Sequence, residues 1–308
     1  MSGGPTVATF LGADWQTLAD AVGLGGIYAL MAVGIGLVFG VLRLVNFAYG
    51  QLVMAGAYSL AFAFERGWPV WIGILLCFGV VLLLSIAMEW VVFRPLRAHS
   101  PAVMLVATFA VAFLLQSIAL IWFGSLGKIA ASLASLNQPV TISGVDIRKI
   151  SVVTTAVAIV GLLVLVLLLA RTRVGLHMRA AAQDFSTARL LGVRANRVIS
   201  SAVLISGILA ATVAVMMTVQ TPLVTPDFAL RDTILVLAGV VLGGMNRLVS
   251  ATLGGFAIGF ASGFLGGALP TDQSQYLPSF LFAAVILVLL IRPGGLFTRA
   301  GAQAVERV

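Results

Sequence analysis

The chain is poor in charge, cysteine and histidine, and each shortage closes off a class of function. Only 9% of its 308 residues are Asp, Glu, Lys or Arg, while 61% are hydrophobic. A soluble domain is usually about half apolar and a quarter charged, so this composition excludes an ordinary globular fold. The one cysteine, Cys77, permits no intrachain disulfide. His99 and His177 are the only histidines, and neither has Cys, Asp or Glu at metal-ligand spacing, so no metal site is expected. No carboxylate pair lies within an apolar run and no catalytic cluster is evident. The chain is therefore read as a non-enzyme with no catalytic residue. The stretch "GSLGKIA" at 124–130 echoes a phosphate loop, but that pattern needs Gly at Trp122 and Ser or Thr at Ile129. The opening "MSGGPTVATFLGADWQ" lacks a basic region, so a cleavable leader is not expected.

What the chain has instead is length in apolar runs. Hydrophobic passages fall at 21–42, 46–64, 70–93, 101–123, 151–170, 198–219, 231–245, 248–268 and 276–291. About 20 apolar residues cross a hydrocarbon core of about 30 Å as a helix, the conformation that satisfies the backbone internally. The expected fold is an all-α polytopic integral membrane protein with about eight or nine passages. The passage 231–245, "RDTILVLAGVVLGGM", holds few uncharged residues and is read as a short or broken helix. Residues 1–308 form a single transmembrane domain, with a loop at 124–150, whose "PVTISGVDIRK" suits a small hairpin or irregular cover, and another at 171–197. Mean hydropathy is +1.13 and net charge +8. In such a chain the basic excess sets topology and meets lipid headgroups, so the bilayer rather than nucleic acid is the expected contact.

Counting basic residues orients the passages. With the N-terminus outside, the inner side receives Arg43, Arg94, Arg97, the six arginines of 171–197, Arg247, Arg292, Arg299 and Arg307. The outer side takes most acids, among them Asp20, Glu65, Asp146, Asp227 and Asp232. The C-terminus is then cytoplasmic.

Residues 178–197, "MRAAAQDFSTARLLGVRANR", are the one long polar stretch. Ser186 as N-cap would make Phe185 and Leu190 a hydrophobic staple, and Gly192 a terminator. A helix of about two turns at 187–191 is expected, its apolar side formed by Phe185, Ala188, Leu190 and Leu191. It either lies in the headgroups or docks in a partner's groove. "GGFAIGFASGFLGG" spaces Gly255, Gly259, Gly263 and Gly267 four apart, one row along a helix for close packing. Glu89 is expected to pair with Arg94 and Arg97 at a membrane edge. Asn46, Gln116 and Ser117 are the polar candidates for a translocation path.

Several segments together resemble the LivH-type permease family of branched-chain amino acid ABC importers. They are "GLGGIYALMAVGIGLVFGVLRLVNFAYGQLVMAGAY" (23–58), "MRAAAQDFSTARLLGVRANRVI" (178–199), "LGGMNRLVSATLGGFAIG" (242–259) and "VILVLLIRPGGLF" (285–297). The chain departs from the family pattern at Tyr49 and Gln51, where the family usually carries His and Glu. The resemblance implies a multi-pass permease of a bacterial plasma (inner) membrane that imports branched-chain or related small amino acids. It implies a second homologous permease, two cytoplasmic ATPase subunits and an extracytoplasmic solute-binding protein. ATP and Mg would be used by those ATPases, with no cofactor bound by this chain. It makes 171–197 the cytoplasmic ATPase-coupling loop, with Gln183, Asp184, Phe185, Leu190, Leu191 and Gly192 matching the family's pattern and Ala188 on the same short helix. The same family includes urea and amide importers. A self-sufficient carrier or channel is the rival, but it would show broken midplane helices or inverted repeats and has no need of a docking loop.

Overall fold

The computed structural model describes residues 15–42, 45–96, 99–131, 136, 138–142, 145–244, 247–269, 273–292 and 295–296. Helix α1 (Trp15–Leu42) leads to α2 (Tyr49–Glu65) and α3 (Val70–Met88), which continues through a π-helical turn (Glu89–Phe93) into α4 (Arg94–Leu96). Then come α5 (Pro101–Phe123), α6 (Lys149–Arg171), α7 (Arg173–Gln183), α8 (Phe185–Leu190) and α9 (Ala195–Gln220). Helices α10 (Leu230–Gly243), α11 (Leu248–Ala268) and α12 (Leu277–Ile291) complete the bundle. Each expected passage is a helix. Six of them are long and apolar enough to cross a membrane: α1, α3 with its continuation, α5, α6, α9 and α11. Helices α2, α10 and α12 are shorter, at 17, 14 and 15 residues. The protein is a polytopic membrane protein.

Helix α1 is the hub, packed against α6, α9, α10 and α11. It runs antiparallel to α11, since Gly255 meets Tyr28 and Ala32 while Gly267 meets Thr17. Tyr28, Leu30, Met31 and Ile35 are buried there. Helices α3, α5, α6 and α12 keep apolar residues outward, Trp71, Trp122, Leu163 and Leu290 among them, as a lipid-facing surface requires.

One end of the bundle carries short strands. β2 (Pro139–Ile142) pairs antiparallel with β3 (Val145–Arg148), so part of 124–150 is a hairpin. β1 (Lys128–Ile129) pairs with β4 (Leu223–Val224). Ion pairs strap this hairpin end to the helices: Arg148 reaches Asp20 through Nη2–Oδ2 at 2.5 Å and Nε–Oδ1 at 3.3 Å, and Lys128 reaches Glu65 at 2.8 Å. Lys128 of the phosphate-loop echo is thus a structural partner of Glu65.

Helix α10 starts in the middle of the bundle. After β4, residues 225–229 run as turns, and the Leu230 N–H donates to Asp227 O at 2.9 Å. Two residues on, Asp232 Oδ1 accepts the hydroxyl of Tyr28, half-way along α1, at 2.5 Å. The charge count placed Asp232 on the outer side, at the start of passage 231–245; it sits level with the middle of α1, where the Tyr28 hydroxyl satisfies it. Passage 231–245 is thus a half-length helix fed by irregular backbone. Such backbone persists at membrane depth where protein buries it or a cavity adjoins it.

Candidate functional site

At the end opposite the hairpins, the polar stretch folds as two helices where one was expected. Thr172 breaks the chain after α6: its hydroxyl donates to Leu168 O at 2.6 Å and accepts the Gly175 N–H at 3.1 Å. That accepted bond caps α7, an amphipathic helix that buries Gly175, Met178 and Ala181 and turns Arg179 outward. The missed signal was this spacing of three, a helical face within a charged segment.

Helix α8 follows. Its cap is Asp184, whose Oδ1 accepts the Thr187 N–H at 3.2 Å while Oδ2 accepts the Thr187 hydroxyl. Ser186 therefore lies inside the helix, because a carboxylate two residues earlier already holds the free N–H of the first turn. The side chains of Phe185, Ser186 and Arg189 lie outside the described residues. Ala188 is buried, whereas Leu190 and Leu191 are 88% and 80% exposed. Ala188 and Leu190 are about 200° apart on a helix, so the expected single apolar side is split, one part inward and one outward. Gly192 at φ +87° stops the helix, and the Val193 N–H donates to Ala188 O at 3.0 Å in a Schellman-type closure. Gln183 and Asp184 are exposed beside it. Between α7 and the start of α9 a recess of about 450 Å³ is lined by Arg173, His177, Arg194 and Arg197. The result is a helix capped at both ends, with two bare leucines beside a basic hollow.

A second cleft, of about 230 Å³, opens between α2, α5 and α10 at mid-depth. Its lining is almost wholly apolar: Phe47, Phe109 and Phe113 form the walls, Leu230 and Thr233 of the first turn of α10 the floor, and Gln51 and Gln116 border it without opening polar atoms into it. Gly50 lets α10 come this close, since a Cβ there would lie 2.8 Å from Ala229 O. Of the three path candidates, Gln116 lines this cleft. Asn46 is buried and closes a turn, its Oδ1 accepting the Ala48 N–H at 3.0 Å, and Ser117 is exposed on α5. Gln51, not singled out for the path from sequence, is 1% exposed and its Oε1 has no hydrogen-bond partner. Among the described residues four buried side-chain polar atoms are so left, on Tyr49, Gln51, Tyr58 and Ser85, and three of the four are on α2. A buried polar atom left unpaired costs about 1–3 kcal/mol in desolvation, so α2 is the helix where such costs concentrate.

The glycine row of α11 faces α1. A Cβ at Gly259 would lie 2.7 Å from Tyr28 Cβ, and one at Gly263 would lie 2.6 Å from Ala21 Cα. Gly255 meets Ala32, and Gly267 meets Thr17. A second contact lies one residue off the row: Gly254 packs on Gly239 and Gly243 of α10. Of the expected partners of Glu89, Arg97 lies outside the described residues and Arg94 is turned elsewhere. Glu89 accepts the Ser200 hydroxyl at 2.9 Å, and Arg94 lies over the Trp90 ring at 4.7 Å, because the π-helical turn directs Glu89 toward α9.

Fold and sites define a multi-pass membrane component with a short helix that bares two leucines at one end and a cleft between α2, α5 and α10. A family model described as the permease component of branched-chain amino acid transport systems matches residues 17–290. The chain belongs to that family, and its role is that of an ABC importer's permease. It is 30% identical over 305 residues to the high-affinity branched-chain amino acid transport system permease protein BraD of Pseudomonas aeruginosa, covering 95% of this chain and 97% of that one. It is 28% identical over 310 residues to LivH, the permease protein of the same kind of system in Escherichia coli, with the same coverage. Among solved structures, PsaBC from Streptococcus pneumoniae in complex with Fab aligns with a TM-score of 0.53 at 14% identity, covering 91% of this chain and 93% of that chain. That likeness shows a shared fold.

Proposed function

We propose that this chain is the membrane-spanning permease of an ATP-driven importer for branched-chain or related small amino acids in a bacterial plasma membrane. The hairpin end faces outward, toward a solute-binding protein, and the α7–α8 end faces the cytoplasm. A second, homologous permease packs beside it, and two ATPase subunits below use ATP and Mg. Residues 171–197 couple the ATPases to alternating access. The observation that carries this reading is α8: a helix capped at both ends by its own chain, with Leu190 and Leu191 almost fully bare. Bare leucines on an ordered helix are the anchors that a groove accepts. The basic recess beside them suits an acidic rim on the same partner.

The test is purification of the tagged chain from its native membrane in mild detergent, with the bound proteins identified by mass spectrometry. The expected result is an ATPase with phosphate-loop motifs and a second permease in stoichiometric amount. Uptake by the purified assembly of urea or an amide, with no amino acid carried, would move the solute within the family. Recovery of a fully active chain alone would remove the coupling role.

A further inference from the structure

Helices α6 and α11 both pack on α1 and leave a valley between them at the α8 end of the bundle. Gly36 and Gly40 of α1 form its floor, Leu169 of α6 and Leu248 of α11 its sides, and Arg179 of α7 stands at its end. The valley holds about 350 Å³ and is almost wholly apolar. An apolar cavity of about 150 Å³ already takes a benzene ring, so this one has room for a length of hydrocarbon chain. Glycine keeps it open, since a Cβ on Gly40 would meet nothing within 4 Å.

Both sides run out into lipid-facing surface. On α6, Ile159, Leu163, Val166 and Ala170 are exposed at steps of four, three and four residues, one helix face, and the last two line the valley. On α11, Val249 and Leu253 are exposed four apart, and Val249 lines the opposite side. The end is cationic. Arg179 is exposed and has no ion pair among the described residues, where the ion pairs are Lys128–Glu65 and Arg148–Asp20. Asp184, the acid nearest to it along the chain, is engaged in capping α8. A second exposed arginine, Arg247, directly precedes Leu248.

We propose that this valley binds one anionic phospholipid, its acyl chain laid over Gly36 and Gly40 and its phosphodiester on Arg179. An apolar channel that ends in an unpaired cation matches a chain that ends in a phosphate, and basic pockets between transmembrane helices take anionic headgroups. Arg179 meets the phosphate at the membrane edge while its stem stays along apolar surface. A lipid is favoured over a protein segment because both sides continue into surface that lipid already covers. The bound lipid braces α7, and through it α8, against α1 and α11.

The test uses the full-length protein with the subunits it retains, stripped of bulk lipid in detergent. It is offered dioleoyl phosphatidylglycerol, dioleoyl phosphatidylcholine or glycerol phosphate, and bound molecules are counted by native mass spectrometry. Wild type retains one phosphatidylglycerol more than Gly40→Leu does, and prefers it to phosphatidylcholine by about fivefold, the effect of one arginine near a charged surface. Glycerol phosphate, which has no chain, is not retained. Arg179→Gln abolishes the headgroup preference. Gly40→Leu fills the floor and loses the lipid whatever its headgroup. Equal retention by wild type and Gly40→Leu, an undiminished preference in Arg179→Gln, or retention of glycerol phosphate overturns the proposal. Loss of a protein subunit from Gly40→Leu with lipid retention unchanged overturns it too, and gives the valley to a subunit interface. Arg179 is exposed, so Arg179→Gln keeps the fold and decides alone should Gly40→Leu not fold.

Discussion

Replacement of Leu190 by Asp should detach the ATPase subunits without unfolding the chain. Leu190 is 88% exposed in the isolated subunit, so almost all of its side-chain surface is available to a partner. Burying a leucine side chain fully is worth about 1.5–3 kcal/mol. Losing about 2 kcal/mol weakens a complex roughly thirtyfold, since about 1.4 kcal/mol is a factor of ten. Asp adds the cost of pressing a charge into an apolar groove. The same exposure protects the fold: a bare side chain makes few internal contacts, and such surface changes usually stay within about ±0.5 kcal/mol. Membrane insertion and thermal stability should therefore match wild type, while co-purification of the ATPase in detergent drops by more than tenfold. Leu191→Asp should behave alike. Full retention of the ATPase by Leu190→Asp would refute the reasoning and leave α8 lying on the membrane surface.

Five further outcomes follow from the same geometry. Gly263→Ala places a methyl 2.6 Å from Ala21 Cα and should cost about 1–3 kcal/mol, read as a lower Tm in detergent. Gly40→Ala meets nothing within 4 Å and should leave Tm unchanged or raise it. Asp184→Ala removes the α8 cap at a cost of about 1 kcal/mol to that helix and should weaken ATPase retention, with Asp184→Asn restoring it. Arg194→Ala with Arg197→Ala should reduce retention at low salt and matter little at about 1 M salt, where the screening length is about 3 Å. In intact cells an impermeant thiol reagent should modify Leu126→Cys, which is 90% exposed at the hairpin end, and spare Thr187→Cys; equal labelling would reverse or void the orientation.

Each hydrophobic passage became a helix because apolar length is a direct physical requirement of crossing lipid, and sequence displays it openly. The same holds for the four-residue glycine spacing on α11 and for the terminator at Gly192, both local signals. What stayed hidden depended on distance. Nothing near Asp232 in sequence announces Tyr28, 204 residues away, so charge counting put that carboxylate at the outer edge of its passage. Ser186 and Asp184 are both good caps, and only the backbone geometry decides which N–H each can reach. Gln51 was visible as a polar residue, but its lack of a partner is a property of packing. The ring stacks Phe47–Phe109 and Tyr58–Phe123 had a faint signal, the spacing of seven along α5, which means nothing until α2 is known to face it. Helix α7 was overlooked because charge concealed a short buried face of Gly175, Met178 and Ala181.

The central claim, that this chain moves solute only as the permease of an ATP-driven assembly, is tested most directly by uptake into proteoliposomes. The chain is reconstituted with its partner permease and ATPases, ATP is enclosed within, and binding protein with labelled leucine is supplied outside. The account predicts accumulation that stops when ATP is omitted, when the ATPase cannot hydrolyse it, or when Leu190→Asp replaces the wild-type chain. Accumulation by this chain alone, driven by an imposed proton or sodium gradient and indifferent to ATP, would contradict it.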